Sequence, residues 1–248
     1  MDTTNKTITM AHGSGGRDSA SLMRDIFGRH FSNETLNQLD DAAVLARPSA
    51  DIAVSTDSFV VTPLEFPGGD IGKLAVCGTV NDILMMGAVP KYLTCGFIID
   101  EGLALSTLDR IAGSMARAAA QAGVMIVAGD TKVVERRAAG AAESGANGAG
   151  LFINTSGIGF LRDGMASAPA ASGAGAGDAV IVSGNLGDHH ACILSARLGL
   201  SNSIRSDCAV LADIADALYA SGSDVHTMRD ITRGGLGTVL NEIAASSR

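Results

Sequence analysis

Apolar, β-rich runs alternate with helical patterns along almost the whole chain, and this alternation restricts it to a mixed α/β fold. Residues 17–31 put Leu22, Met23, Ile26, Phe27 and Phe31 on one helical face, behind a glycine-rich entry at His12-Gly13-Ser14-Gly15-Gly16. A strand over 52–56 ends at Asp57. Asp70 is placed to cap a helix running to Met86, with Gly87 as its stop and Pro90 beyond. Residues 92–99 form a strand. Ser106 and Asp109 have capping-box spacing for a helix that stops at Gly123. A short buried strand, 124–128, runs into Gly129-Asp130-Thr131-Lys132. Later, 179–183 is expected as a strand, and 191–198, 207–219 and a segment from Gly235 as helices.

Two Ala/Gly/Ser tracts interrupt this pattern, at 138–150 and 166–177. Neither can bury enough apolar surface to order itself. The first suits a loop insertion. The second suits a linker, which divides the chain into units 1–165 and 178–248.

Charge narrows the functional classes. Lys and Arg total 18 against 26 Asp and Glu, a formal net charge of −8. Such a chain has no electrostatic footprint for nucleic acid or an anionic membrane surface. A bound nucleotide would have to be held by backbone donors or metal ions. The longest apolar stretch, 111–128, carries Arg117, and the first ten residues have no signal core. The four cysteines (Cys77, Cys95, Cys192, Cys208) lie singly in apolar runs, which fits reduced, buried thiols and a cytoplasmic location.

The chemistry concentrates in acidic residues set beside apolar elements. Asp40-Asp41 precede an apolar run, Asp57 and Asp130 end strands, Asn81-Asp82 interrupt an apolar helix, and Asp230 precedes Arg233-Gly234-Gly235. Mg²⁺ takes oxygen ligands and bridges a few carboxylates to substrate phosphates. Asp57 or Asp130 alone is equally readable as a turn residue. Asp82 is different: it shares a helical face with Gly78 and Met85, where an unpaired carboxylate is costly. The loop His12 to Arg17 offers free N–H groups to an anion at a helix start, but matches neither the P-loop nor the dinucleotide fingerprint. Lys132 is a candidate phosphate charge. Asp188 is placed as an N-cap, and His189 as a contact within the second unit. No nucleophilic triad or activated cysteine can be argued.

Taken in order, Thr56-Asp57-Ser58-Phe59-Val60, Phe66-Pro67-Gly68-Gly69, Cys77-Gly78-Thr79-Val80-Asn81-Asp82, Cys95-Gly96-Phe97-Ile98, Gly129-Asp130-Thr131-Lys132-Val133-Val134 and Arg229 to Gly235 resemble the HypE family of hydrogenase maturation proteins. That family is a branch of the aminoimidazole ribonucleotide synthetase-like ATP-binding superfamily. The resemblance implies a two-domain fold whose N-terminal domain pairs as a homodimer. It implies an ATP-dependent dehydration that turns an S-carboxamide on a C-terminal cysteine into a thiocyanate, the cyanide source for [NiFe]-hydrogenase iron. The implied partners are the carbamoyltransferase HypF and the HypC–HypD complex; the implied cofactors are ATP and Mg²⁺. By motif position, Asp41, Asp57, Asp82, Asp130 and Asp230 would hold the metal. His12, Gly13, Gly15, Gly16, Asn81, Thr131 and Lys132 would complete the nucleotide site with Asp57, Asp82 and Asp130. Lys132 and Asp82 would act in catalysis.

One departure matters. The sequence stops at Ser246-Ser247-Arg248, without the family's cysteine-ended tail, so the C-terminal domain is expected to be incomplete and this chain to bind ATP without carrying the thiocyanate. Two other classes stay open: a superfamily enzyme of the selenophosphate synthetase or thiamine monophosphate kinase type, and a non-catalytic dimeric scaffold for maturation partners.

Overall fold

The computed structural model describes residues 6–14, 16–38, 50–135, 150–163 and 168–247. Its centre is a four-stranded sheet in the order β1-β6-β4-β5, built from β1 (Ile52–Phe59), β4 (Ala88–Asp100), β5 (Met125–Val134) and β6 (Leu151–Leu161). Here β1 and β4 are antiparallel to β6, while β4 and β5 run parallel. A small hairpin, β2 (Glu65–Phe66) and β3 (Gly69–Asp70), precedes the main helices.

One face of the sheet is covered. Helix α3 (Ile71–Met85) lies across β1 and β6, with α4 (Leu105–Ala122) packed beside it. Nearly all of α3 is apolar, as a helix enclosed on several sides must be. The Asp70 carboxylate caps it, accepting from the Lys73 amide at 2.9 Å. Gly123, with φ +67, closes α4 in the left-handed region. The entry helix begins as α1 (Arg17–Leu22), continues as a π-helical stretch Met23–Gly28 and ends in the turn α2 (Arg29–Phe31). Its Phe27 ring packs 4.7 Å from that of Phe97.

Among the described residues no helix covers the other face of the sheet. Strict alternation puts Leu93, Cys95, Phe97 and Ile99 of β4 and Leu151, Ile153 and Thr155 of β6 into the core. Their neighbours face outward, leaving Val54 70% and Ile98 46% exposed.

The C-terminal segment adds α5 (Asp188–Arg197), α6 (Ala212–Ala220) and α7 (Gly235–Ser246). It docks on the first unit through backbone-directed bonds. The Ser206 amide donates to Pro67 O at 2.8 Å, Arg197 Nε donates to Thr62 O at 2.7 Å, and the Phe66 and His189 rings meet edge to face.

Several expected elements change. Asp57 and Asp130 do not end strands: β1 continues to Phe59 and β5 to Val134, because pairing with β6 and β4 carries on past them. Helix α4 starts at Leu105, so Ser106 is not its cap, and Asp109 instead pairs with Arg29 and His30. The span 179–183 is not a strand; among the described residues no strand runs beside it, and Ile181 is 82% exposed. The expected helix 207–219 shortens to α6, since the Asn81 side chain bonds the backbone at Ala209 and Leu211 and holds this stretch against α3. The α5 cap is Gly187, with Asp188 in the first turn. The tract 138–150 and Asp41 lie almost wholly or wholly outside the described residues, as does Gly15.

Candidate functional site

Three of the singled-out carboxylates come together at the β1 edge of the sheet. Asp57 is on the strand face that looks toward α3, level with buried Thr155 of β6. Asp82 is one helical turn beyond Gly78 on the α3 face turned to β1. The two carboxyls hydrogen-bond each other, and Asp230 from the C-terminal segment lies close enough to repel both. Ser55, two residues before Asp57, donates to Asp82 Oδ2 at 2.6 Å. A cleft of about 290 Å³ opens here, lined by Ser55, Asp82, Met86, Met228, Arg229 and Asp230 among others.

Gly78 makes the convergence possible. A Cβ there would sit 2.7 Å from the Phe59 ring, and Asp57 Oδ2 is only 4.0 Å away. Gly78→Ala should therefore push Phe59 off its position and cost about 1–3 kcal/mol of stability, less the fraction of a kcal/mol that alanine returns in helix propensity. Thermal unfolding should show a clear drop in midpoint; an unchanged midpoint would show that the Phe59 ring moves freely.

Burial, the bond from Asp82 and the charges of Asp82 and Asp230 push Asp57 up to about 6, with Arg233 only partly opposing them. Burial first, then Asp82, likewise raises Asp230. The sign of the resulting pH dependence follows. Folded Asp57 keeps its proton to higher pH than unfolded Asp57, so the folded chain binds more protons between the ordinary carboxylate range and about pH 6, and stability falls as pH rises through that window. Asp57→Asn should flatten this part of a melting-temperature profile recorded without divalent cations. A slope of equal size in the variant would assign it elsewhere.

The remaining singled-out residues form a second group at the opposite edge. Asp130 and Lys132 of β5 are level with Gly96 and Ile98 of β4 and project from the open face. Lys132 Nζ donates to Asp130 Oδ1 at 2.6 Å, which, with the Thr131 amide, holds Asp130 below the usual carboxylate range. At the same edge, but against the core-facing Val133, Gly13 packs so tightly on β5 that a Cβ would meet Val133 at 2.9 Å. His12 Nδ1 is engaged by Thr9, at 3.1 Å from its amide and 2.9 Å from its hydroxyl. Gly16 precedes α1 with open space around its Cα. Two strands separate the groups, roughly 14 Å from edge to edge. Within one chain, then, Asp57, Asp82 and Asp230 meet, whereas Asp130, Thr131, Lys132, His12, Gly13 and Gly16 do not join them. Among the described residues, no group of three or more His, Cys, Asp or Glu side chains is placed to hold a metal ion by itself.

Both units match known domains. Residues 39–161 match the AIR synthase related protein N-terminal domain, and 175–248 the corresponding C-terminal domain. "Carbamoyl dehydratase HypE" of Rhizobium leguminosarum bv. viciae is 47% identical over 251 residues, covering 100% of this chain and 69% of the relative. The chain belongs to the HypE family. A solved HypE in complex with ATP superposes with a TM-score of 0.89 at 49% identity, over 97% of this chain and 69% of that one. A HypE–HypF complex matches with a TM-score of 0.72 at 46% identity, over 92% of this chain and 70% of that one. Thiamine monophosphate kinase from Aquifex aeolicus, at 18% identity and a TM-score of 0.62 over 94% of this chain and 74% of that one, shares the fold alone. The HypE family comprises enzymes of hydrogenase maturation, so the match places this chain among the carbamoyl dehydratases rather than the kinases.

Against the HypE motifs, Asn81 has an unexpected place. Its Nδ2 donates to Ala209 O at 3.0 Å and its Oδ1 accepts from the Leu211 amide at 3.0 Å, so this side chain fastens the C-terminal segment to α3. Ser55 and Arg233 are site residues that sequence reading left out. For Ser55 the signal existed: it is two residues from Asp57 and therefore on the same strand face. Arg233 is visible only as part of the motif around Asp230, and its pull on Asp57 depends on the tertiary fold.

Proposed function

We propose that this chain carries the HypE activity, an ATP-dependent dehydration of a protein-bound S-carboxamide to a thiocyanate, at a site that uses Mg²⁺ and is shared between two copies. The observation behind the metal assignment is the Asp57–Asp82–Asp230 convergence. Mutually repelling oxygen donors beside a cleft, with Asp57 forced to hold a proton, make a place that a cation would relieve. Such a partial donor set suits Mg²⁺, which keeps waters and takes further ligands from substrate phosphates. When bound, Mg²⁺ would neutralise triphosphate charge.

The reaction needs ATP because an amide oxygen is a poor leaving group. That oxygen attacks the γ-phosphorus and ADP departs. The C–O bond then breaks, phosphate leaves with the oxygen, and the nitrogen gives up its two protons as the C≡N bond forms. Asp57 and Asp82 orient the triphosphate from one edge, and Asp230 closes the site from the C-terminal segment. Lys132 offsets charge on the phosphoryl group in flight, held ready by Asp130. His12, Gly13 and Gly16, ahead of α1, would contribute to binding the phosphates.

Those two groups sit at opposite edges of one sheet, so they form one site only if β1 of one copy lies beside β5 of another. The open sheet face supplies the contact: Val54, Ile98 and Phe152 expose apolar surface that a second copy would cover. HypF is the proposed donor of the carboxamide, on the strength of the related HypE–HypF complex, and the HypC–HypD complex the proposed acceptor of the cyanide. No helix among the described residues is long and apolar enough to cross a membrane. A cytoplasmic location belongs to this proposal.

Calorimetric titration with ATP tests the site. Binding should require Mg²⁺ and disappear in EDTA, and dehydration should appear as loss of one water mass from an S-carboxamide cysteine peptide supplied with Mg²⁺ and ATP. Equal ATP affinity with and without the metal would remove the argument. For the pairing, Ile98→Asp should convert a dimer to a monomer in sedimentation velocity without lowering the melting midpoint of the fold; a monomeric parent chain would refute it.

A further inference from the structure

The junction between α3 and the C-terminal segment brings two free cysteines to one place. Cys77 and Asn81 are one turn apart on the same face of α3. Asn81 grips the backbone at Ala209 and Leu211, which brings residue 208 opposite residue 77. There the Cys77 and Cys208 thiols lie near enough to shift each other's titration, Cys77 down and Cys208 up, on a segment pinned at Ser206 to Pro67 O and at Ala209 to Asn81. The segment is held from its other side too: the Cys208 amide donates to Ser206 Oγ at 3.1 Å, and the same hydroxyl meets His189 Nδ1 at 2.9 Å. Cys77 is 2% exposed, while Cys208 is partly open to solvent. Neither thiol takes part in the dehydration chemistry, and 130 residues lie between them, so nothing in their spacing suggests a pair.

We infer that Cys77 and Cys208 form a dithiol modification site that a small-molecule disulfide converts to an internal disulfide, tying the helix that carries Asp82 to the segment that leads to Asp230. Accessibility sets the order of events. Cys208, the open member, is held well above the ordinary thiol range by Cys77 and by burial, so its proton passes to solvent base slowly near neutrality and faster as pH rises. The thiolate then attacks one sulfur of the small disulfide, releasing the first small thiolate. The Cys77 sulfur, as thiolate, then attacks the Cys208 sulfur and expels the second. Two protein S–H bonds and one small S–S bond are lost; one protein S–S bond and two small thiols are formed. The two electrons pass from the protein thiols to the small disulfide. Proximity to Cys208, assisted by the nearby Lys73 ammonium, keeps Cys77 below the ordinary thiol range, which suits the second attack. The other two cysteines do not compete on equal terms. Cys95 is buried in the core with its thiol pushed up to about 12, and Cys192 donates to Pro67 O at 3.3 Å. Dithiols that remain reduced at rest and close under oxidant are the usual form of disulfide in reducing compartments.

The test is oxidation of the intact chain with oxidised glutathione, followed by alkylation in denaturant and peptide mapping. Trypsin places the four cysteines on four different peptides, with Cys77 on 74–91 and Cys208 on 206–229. Labelled cysteines should fall from four to two, with 74–91 and 206–229 recovered as one cross-linked species that a reductant separates. In Cys208→Ser the other three cysteines should all remain labelled. The melting midpoint of the parent should rise on oxidation, and that of Cys208→Ser should not move. Four labelled cysteines after oxidation, a stable mixed disulfide on Cys208 that Cys77 never resolves, or a cross-link from Cys192 to Cys208 would each overturn the assignment.

Discussion

Asp82→Asn is expected to weaken magnesium-dependent ATP binding by on the order of a hundredfold while leaving the fold in place. The two halves of that expectation have separate causes. Asparagine keeps the shape of the side chain and an acceptor for the Ser55 hydroxyl, now 2.6 Å from Asp82 Oδ2, so α3 and β1 lose little packing. What disappears is a charge. The bond from Asp82 and its charge are, after burial, the main reasons Asp57 holds a proton to about pH 6. Without them Asp57 ionises more readily, and the chain without metal becomes more stable at neutral pH even as it loses its cation. A mutation that stabilises the empty protein and disables the loaded one is the signature of carboxylates gathered for a ligand rather than for the fold. The measurement is paired: calorimetry with Mg²⁺ and ATP, and thermal unfolding without either. Affinity within about threefold of the parent would separate Asp82 from the nucleotide site, since a lost direct ligand costs more than that. A lower melting midpoint without metal would mean that its charge serves the fold.

The residues also show where sequence reading reaches its limit. The α/β alternation, the Asp70 cap, the Gly123 stop and the helix from Gly235 could all be read locally, because each depends on signals within a turn or two. The strand ends could not. Asp57 and Asp130 look like terminators because both begin a polar stretch, yet cross-strand pairing with Thr155 and Gly96 keeps both in the sheet. Which face each occupies depends on register, and register here depends on β6, a strand from far along the chain that inserts between β1 and β4. Parity then sends Asp57 toward α3 and Asp130 to the open side. The non-helical run 207–211 was hidden for a similar reason. Its apolar period suits a helix, but the Asn81 amide bonds its backbone directly. The acidic constellation was thus legible as a set of residues, and its division into two edges was not.

That division yields the second large effect. Asp82→Asn and Lys132→Ala should each nearly abolish ATP-dependent dehydration alone, yet mixing the two proteins should restore about one quarter of the parent activity. The figure is combinatorial. Random exchange of subunits makes half the dimers mixed. In a mixed dimer, one site joins the intact β1 edge of the Lys132→Ala copy to the intact β5 edge of the Asp82→Asn copy, and the other site carries both defects. If each site instead lay within one chain, every site would keep a defect and mixing would restore nothing. A control separates exchange from mere dilution: Asp57→Asn mixed with Asp82→Asn should stay inactive, because both lesions fall on the same edge. The open face fits this design. Exposed Ile98 of β4 lies directly level with Lys132, so the surface that would drive pairing is continuous with the residues that pairing would deliver to the neighbouring copy. A chain that dimerised through another surface would leave Lys132 paired only with Asp130, 2.6 Å away, and remote from any phosphate.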